Sequence, residues 1–185
     1  MRITWVLADA TELDPTQNMS ELKLIGSTWG SWRTWRAYGT DNVICHDFKK
    51  ASELLKRAFQ AVCNFYIPNE NYAPLDQPMG VHLYEGSFVH DLERQEEIVA
   101  LHLAASVSDI VLLIGFDLTE TEDNLDRLAA HQEQHYLGLF RQVILDNPDK
   151  QWVLVDHPGP IRESLIDLTN LTQDTMSKVI ELLGV

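Results

Sequence analysis

The segment Asp109-Ile-Val-Leu-Leu-Ile-Gly-Phe-Asp117 sets five aliphatic residues in a row between an acid and a glycine. The run is too short to span a membrane, and Ile110, Val111 and Ile114 are β-branched. A short, unbroken apolar run closed by glycine is the pattern of a strand buried on both faces, as in the interior of a parallel sheet. Ligands of open α/β sheets gather outside the carboxyl ends of such strands, and Gly115, Phe116 and Asp117 mark that end.

On either side, short apolar runs alternate with helical spacing. Strands are expected at 3–8, 22–25, 42–46, 81–84 and 151–155. Helical patterns cover 48–66, 91–106 and 124–146, with two shorter stretches at 161–168 and 173–183, the last capped by Thr172. Residues 11–21 and the proline-bearing 68–78 read as loops. This alternation predicts a three-layer, doubly wound α/β domain with a mostly parallel sheet, Rossmann-like or flavodoxin-like, spanning residues 1–185 as a single domain. The pattern does not specify the order of the strands.

At 185 residues the chain can bury enough surface to fold without metal or disulfide. Its net charge of −14 is unevenly placed: residues 1–70 hold 8 basic and 8 acidic side chains, residues 71–185 hold 6 and 20. Such a field repels nucleic-acid phosphates over most of the surface, so direct nucleic-acid binding is not expected. Cys45 and Cys63 are too few for a disulfide framework, and the opening residues are too short an apolar stretch for a signal peptide or a membrane span. A cytoplasmic protein is the expectation.

Expected strands end in acids: Asp9, Asp47, Glu85, Asp117 and Asp156. In a parallel sheet these share one rim, where converging carboxylates could hold a divalent cation or the hydroxyls of a ribose or sugar. The plainer role of an acid after a strand is to cap the next helix or turn the chain.

Gly26-Ser-Thr-Trp-Gly-Ser-Trp-Arg-Thr-Trp-Arg36 is the most unusual composition in the chain. One reading is a glycine loop that holds a phosphate or carboxylate, using Gly26, Ser27, Gly30, Ser31, Arg33 and Arg36 together with Asp9, Glu85, Asp117 and Asp156. A second is a partner surface of Trp29, Trp32, Trp35, Arg33 and Arg36, since Trp and Arg are enriched in binding hot spots. A third is that the indoles fill one flank of the core with the arginines stacked on them. The segment carries neither the Gly-x-Gly-x-x-Gly fingerprint nor a Walker lysine, which excludes a dinucleotide or P-loop assignment on residue identity.

His131 and His135 stand four apart on the longest helical pattern, but Glu133 is not where a His-Glu-x-x-His motif needs it, so no metal is assigned. Cys45-His46 and Asp156-His157 are adjacent strand residues pointing to opposite faces, so neither is a nucleophile–base pair. No Gly-x-Ser-x-Gly elbow or Cys-x-x-Cys is present, and no cofactor is firmly implied.

Several passages together resemble an uncharacterised family encoded by tailed bacteriophages, particularly those infecting cyanobacteria. They are Ile3-Thr-Trp-Val-Leu-Ala-Asp9, Trp29-Gly-Ser-Trp-Arg-Thr-Trp-Arg36, Thr40-Asp-Asn-Val-Ile-Cys45, the stretch 54–66, Leu83-Tyr-Glu-Gly86, Leu101-His-Leu-Ala-Ala105 and Gln151-Trp-Val-Leu-Val-Asp-His-Pro158. The resemblance implies a phage accessory or virion-associated protein whose domain is an interaction module. Its partners would be other phage proteins or further copies of itself, in the host cytoplasm or carried in the virion. No catalytic residue comes with that family. Leu112-Leu-Ile-Gly-Phe-Asp117 also resembles the central strand of Rossmann-like sugar- and pterin-handling transferases, which implies the alternative of a nucleotide- or nucleotide-sugar-binding enzyme or sensor.

Overall fold

A computed structural model describes residues 1–9, 19–47, 50, 53, 63–69, 80–84, 95–118 and 127–184. In chain order the elements are β1 (Ile3–Leu7), α1 (Met19–Ile25), β2 (Ser27–Ser31), α2 (Trp32–Tyr38), β3 (Asn42–Ile44), β4 (Asn64–Pro68), β5 (Val81–Tyr84) and α3 (Gln95–Val107). They continue with β6 (Ile110–Ile114), α4 (Arg127–Asp146), β7 (Gln151–Val155), a 3-10 turn at Glu163–Leu165, β8 (Leu171–Asp174) and α5 (Met176–Leu183).

The eight strands form one all-parallel sheet in the order β5-β4-β3-β2-β1-β6-β7-β8. The chain thus steps outward from β1 to β5, crosses back to lay β6 against the free side of β1, and steps outward again to β8. Right-handed crossovers require helices made while moving one way to lie on one face, and those made on the return to lie on the other. Accordingly α1 and α2 pack on one face, joined by α5, while α3 and α4 pack on the other. The result is a doubly wound three-layer α/β architecture, as the alternation of strands and helices predicts.

The five-residue aliphatic run is β6, paired with β1 on one side (Ile3 opposite Ile110) and β7 on the other (Ile110 opposite Gln151). Its side chains alternate between layers. Val111 and Leu113 enter the cluster under α3 and α4 with Phe140, Ile144 and Trp152. Leu112 and Ile114 enter the opposite cluster with Trp5, Leu7, Leu22 and Val179. A strand interior to a sheet covered on both faces has no solvent side, which is why its sequence shows no polar alternation.

Several boundaries differ from the sequence expectation, and of the helical stretch expected over 161–168 only the 3-10 turn Glu163–Leu165 forms. Residues 22–25 are the end of helix α1 rather than a strand; Leu22 turns inward while Leu24 is 83% exposed, and the strand begins only after Gly26. A Cβ at Gly26 would lie 2.3 Å from the Ile3 carbonyl oxygen, so glycine is what lets the chain enter β2 alongside β1. The helical pattern expected over 48–66 overruns into β4, where Phe65 and Ile67 face one layer and Tyr66 the other; residues 48–49, 51–52 and 54–62 lie outside the described residues. At the far edge Leu171-Thr-Gln-Asp174 is strand β8, not helix, and the cap of α5 is Thr175, whose hydroxyl accepts from Lys178 N, rather than Thr172. β8 is an edge strand with one buried residue, Leu171, so its sequence carries almost no apolar signal.

Candidate functional site

The strand order reverses between β1 and β6, and in doubly wound sheets the crevice at the carboxyl ends of such strands is where ligands sit. β1 delivers Asp9 to that point. The neighbouring β2 ends in Ser31, which caps α2: its Oγ accepts the backbone N–H groups of Arg33 (3.0 Å) and Thr34 (3.3 Å). The same hydroxyl donates to Asp9 Oδ1, and Thr34 Oγ1 donates to that oxygen at 3.1 Å. Arg33 stands 3.5 Å from Asp9 Oδ2 with its own side chain 57% exposed. Gly30 makes room for this, since a Cβ there would lie 2.9 Å from the Thr34 side chain. Asp9 is thereby a fixed carboxylate with one oxygen held by two hydroxyls and the other facing a solvent-accessible guanidinium.

The first turn of α3 supplies the floor. Glu97 is 1% exposed; its Oε1 accepts the Asp9 backbone N–H (2.8 Å) and its Oε2 accepts the Tyr136 hydroxyl of α4 (2.7 Å). The adjacent Glu96 accepts the backbone N–H of His46, just past β3, at 2.8 Å. Burial pushes the Glu96 carboxyl up to about 8, aided by the negative charges of Asp9 and Asp47 and opposed by the His46 N–H and Arg33. The His46 ring nitrogen Nδ1 lies 3.2 Å from the Tyr84 hydroxyl of β5. Ends of β1, β2, β3 and β5 are thus tied together through α3.

On the β6 side, the His157 ring accepts Leu118 N–H at Nε2 (3.1 Å) and donates from Nδ1 to the Gly159 carbonyl (2.7 Å), which couples the loops after β6 and β7. Arg162, 8% exposed, pairs with Glu133 of α4, and its backbone N–H donates to the Leu118 carbonyl.

Of the residues singled out in the sequence, Asp9, Gly30, Ser31 and Arg33 meet at this point, with Arg36 exposed one helical turn beyond Arg33 on α2. Gly26 and Ser27 do not: they stand at the amino end of β2, the opposite edge of the sheet, where Ser27 Oγ approaches Thr4 Oγ1 at 3.4 Å. That edge is held by Asp41, which takes Thr28 N–H and hydroxyl and pairs with Lys23 at 2.8 Å. Segment 26–36 is therefore a strand and a capped helix rather than a glycine loop, and the first amides of α2 are taken by Ser31. Asp156 accepts the Met176 N–H at the start of α5 at 3.0 Å, beside the cap Thr175, and Asp47 accepts Lys50 N–H at 3.1 Å, so both play the plainer role of an acid after a strand. Asp117 is exposed on the rim three residues past β6, and Glu85 lies outside the described residues.

The tryptophans divide. Trp29 is 3% exposed and packs against Tyr66 at 4.9 Å between ring centroids, so it belongs to the core and offers no surface to a partner. Trp35 meets Phe65 edge-on at 5.9 Å. Trp32 is half-buried, with Arg33 5.7 Å and Lys50 5.2 Å from its ring centroid. His131 and His135 are exposed on α4, and among the described residues no group of three His, Cys, Asp or Glu could hold a metal ion. Cys45 is buried, which raises its thiol pKa, and Glu96 and Asp47 act in the same direction. No helix among the described residues is long and apolar enough to cross a membrane.

A concavity of about 650 Å³ lies elsewhere, between α5 and the β6–β8 face, lined by Ile110, Leu112, Val153, Val179 and Leu182. Among its polar groups, Asn170 donates to the Asn147 and Lys150 carbonyls, and Asp174 pairs with Lys178. The chemistry converges instead at Asp9.

No family model matches the chain, and no curated protein does. Among solved structures, orotidine 5'-monophosphate decarboxylase from Metallosphaera sedula is similar over 99% of this chain and 96% of its own, at 11% identity and a TM-score of 0.29. A likeness of that size carries no argument about fold or activity.

Proposed function

We propose that this chain is a nucleotide- or nucleotide-sugar-binding enzyme or sensor with its site at the carboxyl ends of β1, β2 and β3. The observation that carries this reading is Asp9, held by Ser31, Thr34 and Arg33 at the point where the strand order reverses. A fixed carboxylate there suits ribose or sugar hydroxyls, and an exposed arginine beside it suits a diphosphate. With the first amides of α2 already taken by Ser31, the phosphate charge would be met by Arg33 and Arg36 rather than by the helix end.

A thermal-shift panel of ADP, GDP, UDP, ADP-glucose and UDP-glucose tests it. A ligand at ten times its Kd is expected to add about 1.4 kcal/mol, which raises Tm by roughly 3–6 °C in a chain of this size. Arg33→Ala and Asp9→Asn, checked by circular dichroism, are expected to remove the shift. A panel with no shift in the folded wild-type chain would overturn the reading.

A second reading follows the phage resemblance: an accessory or virion-associated protein that docks partners through α2. The observation favouring it is Trp32, half-buried beneath Arg33 and Lys50 with Arg36 nearby, a tryptophan–arginine patch of the kind that anchors interfaces. Under this reading Trp32→Ala is expected to lower capture of particle proteins at least tenfold in pulldowns while leaving any nucleotide shift intact. Equal capture by the variant would exclude α2 as the interface.

A further inference from the structure

In ordinary doubly wound sites an acid near a diphosphate is a liability, because two negative groups repel. Here an acid, Glu96, stands close enough to Asp9 and Arg33 to feel the charge of both. Glu96 projects from the first turn of α3, its Oε1 anchored by the His46 backbone N–H at 2.8 Å, while its Oε2 has no hydrogen-bond partner among the described residues. The charged and titratable groups around it come from each packed element: Asp9 after β1, Arg33 on α2, Cys45, His46 and Asp47 after β3, Tyr84 on β5, and Glu97 beside it with Tyr136 of α4 behind. The cation that acts on Glu96, Arg33, is already paired with Asp9 at 3.5 Å. A half-buried carboxyl among other carboxylates, with no cation in ion-pair contact with it among the described residues, keeps its proton.

We infer that Glu96 is the proton-bearing hydrogen-bond donor of this crevice, giving its hydroxyl hydrogen to an anionic oxygen of the ligand's diphosphate, so that the ligand binds with Glu96 neutral and leaves as Glu96 ionises. This rests on the nucleotide-sugar reading above. No bond is made or broken beyond the hydrogen bond, and the proton comes from and returns to solvent. The raised pKa of the carboxyl, about 8 without ligand, agrees with that state at neutral pH. The ligand class follows as well: an anionic oxygen is needed to accept from Glu96, so a nucleoside without phosphate gains nothing from its proton.

ADP-glucose is the suitable probe, because neither its adenine nor its diphosphate diester gains or loses a proton in the relevant range. Calorimetric titration across pH 6.5–9.5 is expected to give a nearly constant Kd below about pH 8 and a Kd rising roughly tenfold per pH unit above it. Glu96→Gln, which donates at every pH, is expected to bind with no such rise. If that variant does not fold, wild-type titrations in two buffers of different ionisation enthalpy count protons directly: close to one taken up on binding above pH 8, close to none below pH 7. Binding that depends on Asp9 and Arg33 but is flat with pH, without proton uptake, overturns the role of Glu96 and leaves the site reading standing. Absence of binding at every pH overturns both.

Discussion

Glu97→Ala is expected to cost the fold on the order of 4 kcal/mol, read as a lowered urea midpoint with an unchanged slope. Glu97 is 1% exposed and accepts from two donors, the partly buried Asp9 backbone N–H and the buried Tyr136 hydroxyl. Removing the carboxylate takes this acceptor from both, at about 1–3 kcal/mol each, and opens a cavity beneath the end of β1. The loss comes from those donors rather than from any net benefit of burying an acid, which is small or unfavourable by itself. Glu97→Gln keeps one carbonyl acceptor and is expected to cost about half as much. Tyr136→Phe removes one of the two donors, so adding it to Glu97→Ala should cost less than the sum of the single changes by about 1 kcal/mol. A loss below 1 kcal/mol for Glu97→Ala would show that α3 is not what fixes Asp9. The same variant is expected to weaken nucleotide binding, because the backbone that carries Asp9 loses its anchor.

How far the sequence discloses this arrangement depends on what each contact requires. β6 and β7 are legible because their runs match the burial they meet: Ile110 to Ile114 is apolar throughout and lies between two paired strands. β4 and β8 are obscured for opposite reasons. The apolar residues before β4 continue a helical spacing into Tyr66, and β8 has a single buried residue to announce it. At the site, Asp9 is visible because it is an acid closing a strand, and Ser31 and Arg33 because they stand in a segment of unusual composition, although the helix that Ser31 caps is not expected from the sequence. Thr34, His46, Tyr84, Glu96 and Tyr136 are not, since their bonds join residues as many as 50 apart and exist only once the strand order is set. Glu97 left a trace: positions 100, 101, 104 and 105, which share its helical face, are all buried aliphatics, so it is a charge set into an apolar stripe. An acid there needs partners, and the fold provides them from β1 and α4.

The unliganded chain should carry a stability signature of Glu96 that no ligand is needed to see. Its carboxyl titrates at 4.5 in the unfolded chain and at about 8 in the fold, raised by burial and by the nearby Asp9 and Asp47 charges. Below pH 4.5 both states hold the proton and the site contributes no penalty. Between pH 4.5 and about 8 only the folded state holds it, so the native chain binds more protons than the unfolded one and stability falls as pH rises. The slope is roughly 1.4 kcal/mol per pH unit at full protonation difference, and the accumulated penalty above pH 8 is on the order of 5 kcal/mol. Glu96→Gln removes the ionisation while keeping an acceptor for the His46 N–H, so the difference between variant and wild type isolates this one group from every other acid in a chain of net charge −14. The variant is expected to match wild type near pH 4.5 and to exceed it progressively toward pH 8, where its urea midpoint should be clearly higher. Parallel pH profiles for the two proteins would mean that Glu96 is already ionised at neutral pH in the folded state, and the donor assigned to it in the crevice would then have no proton to give.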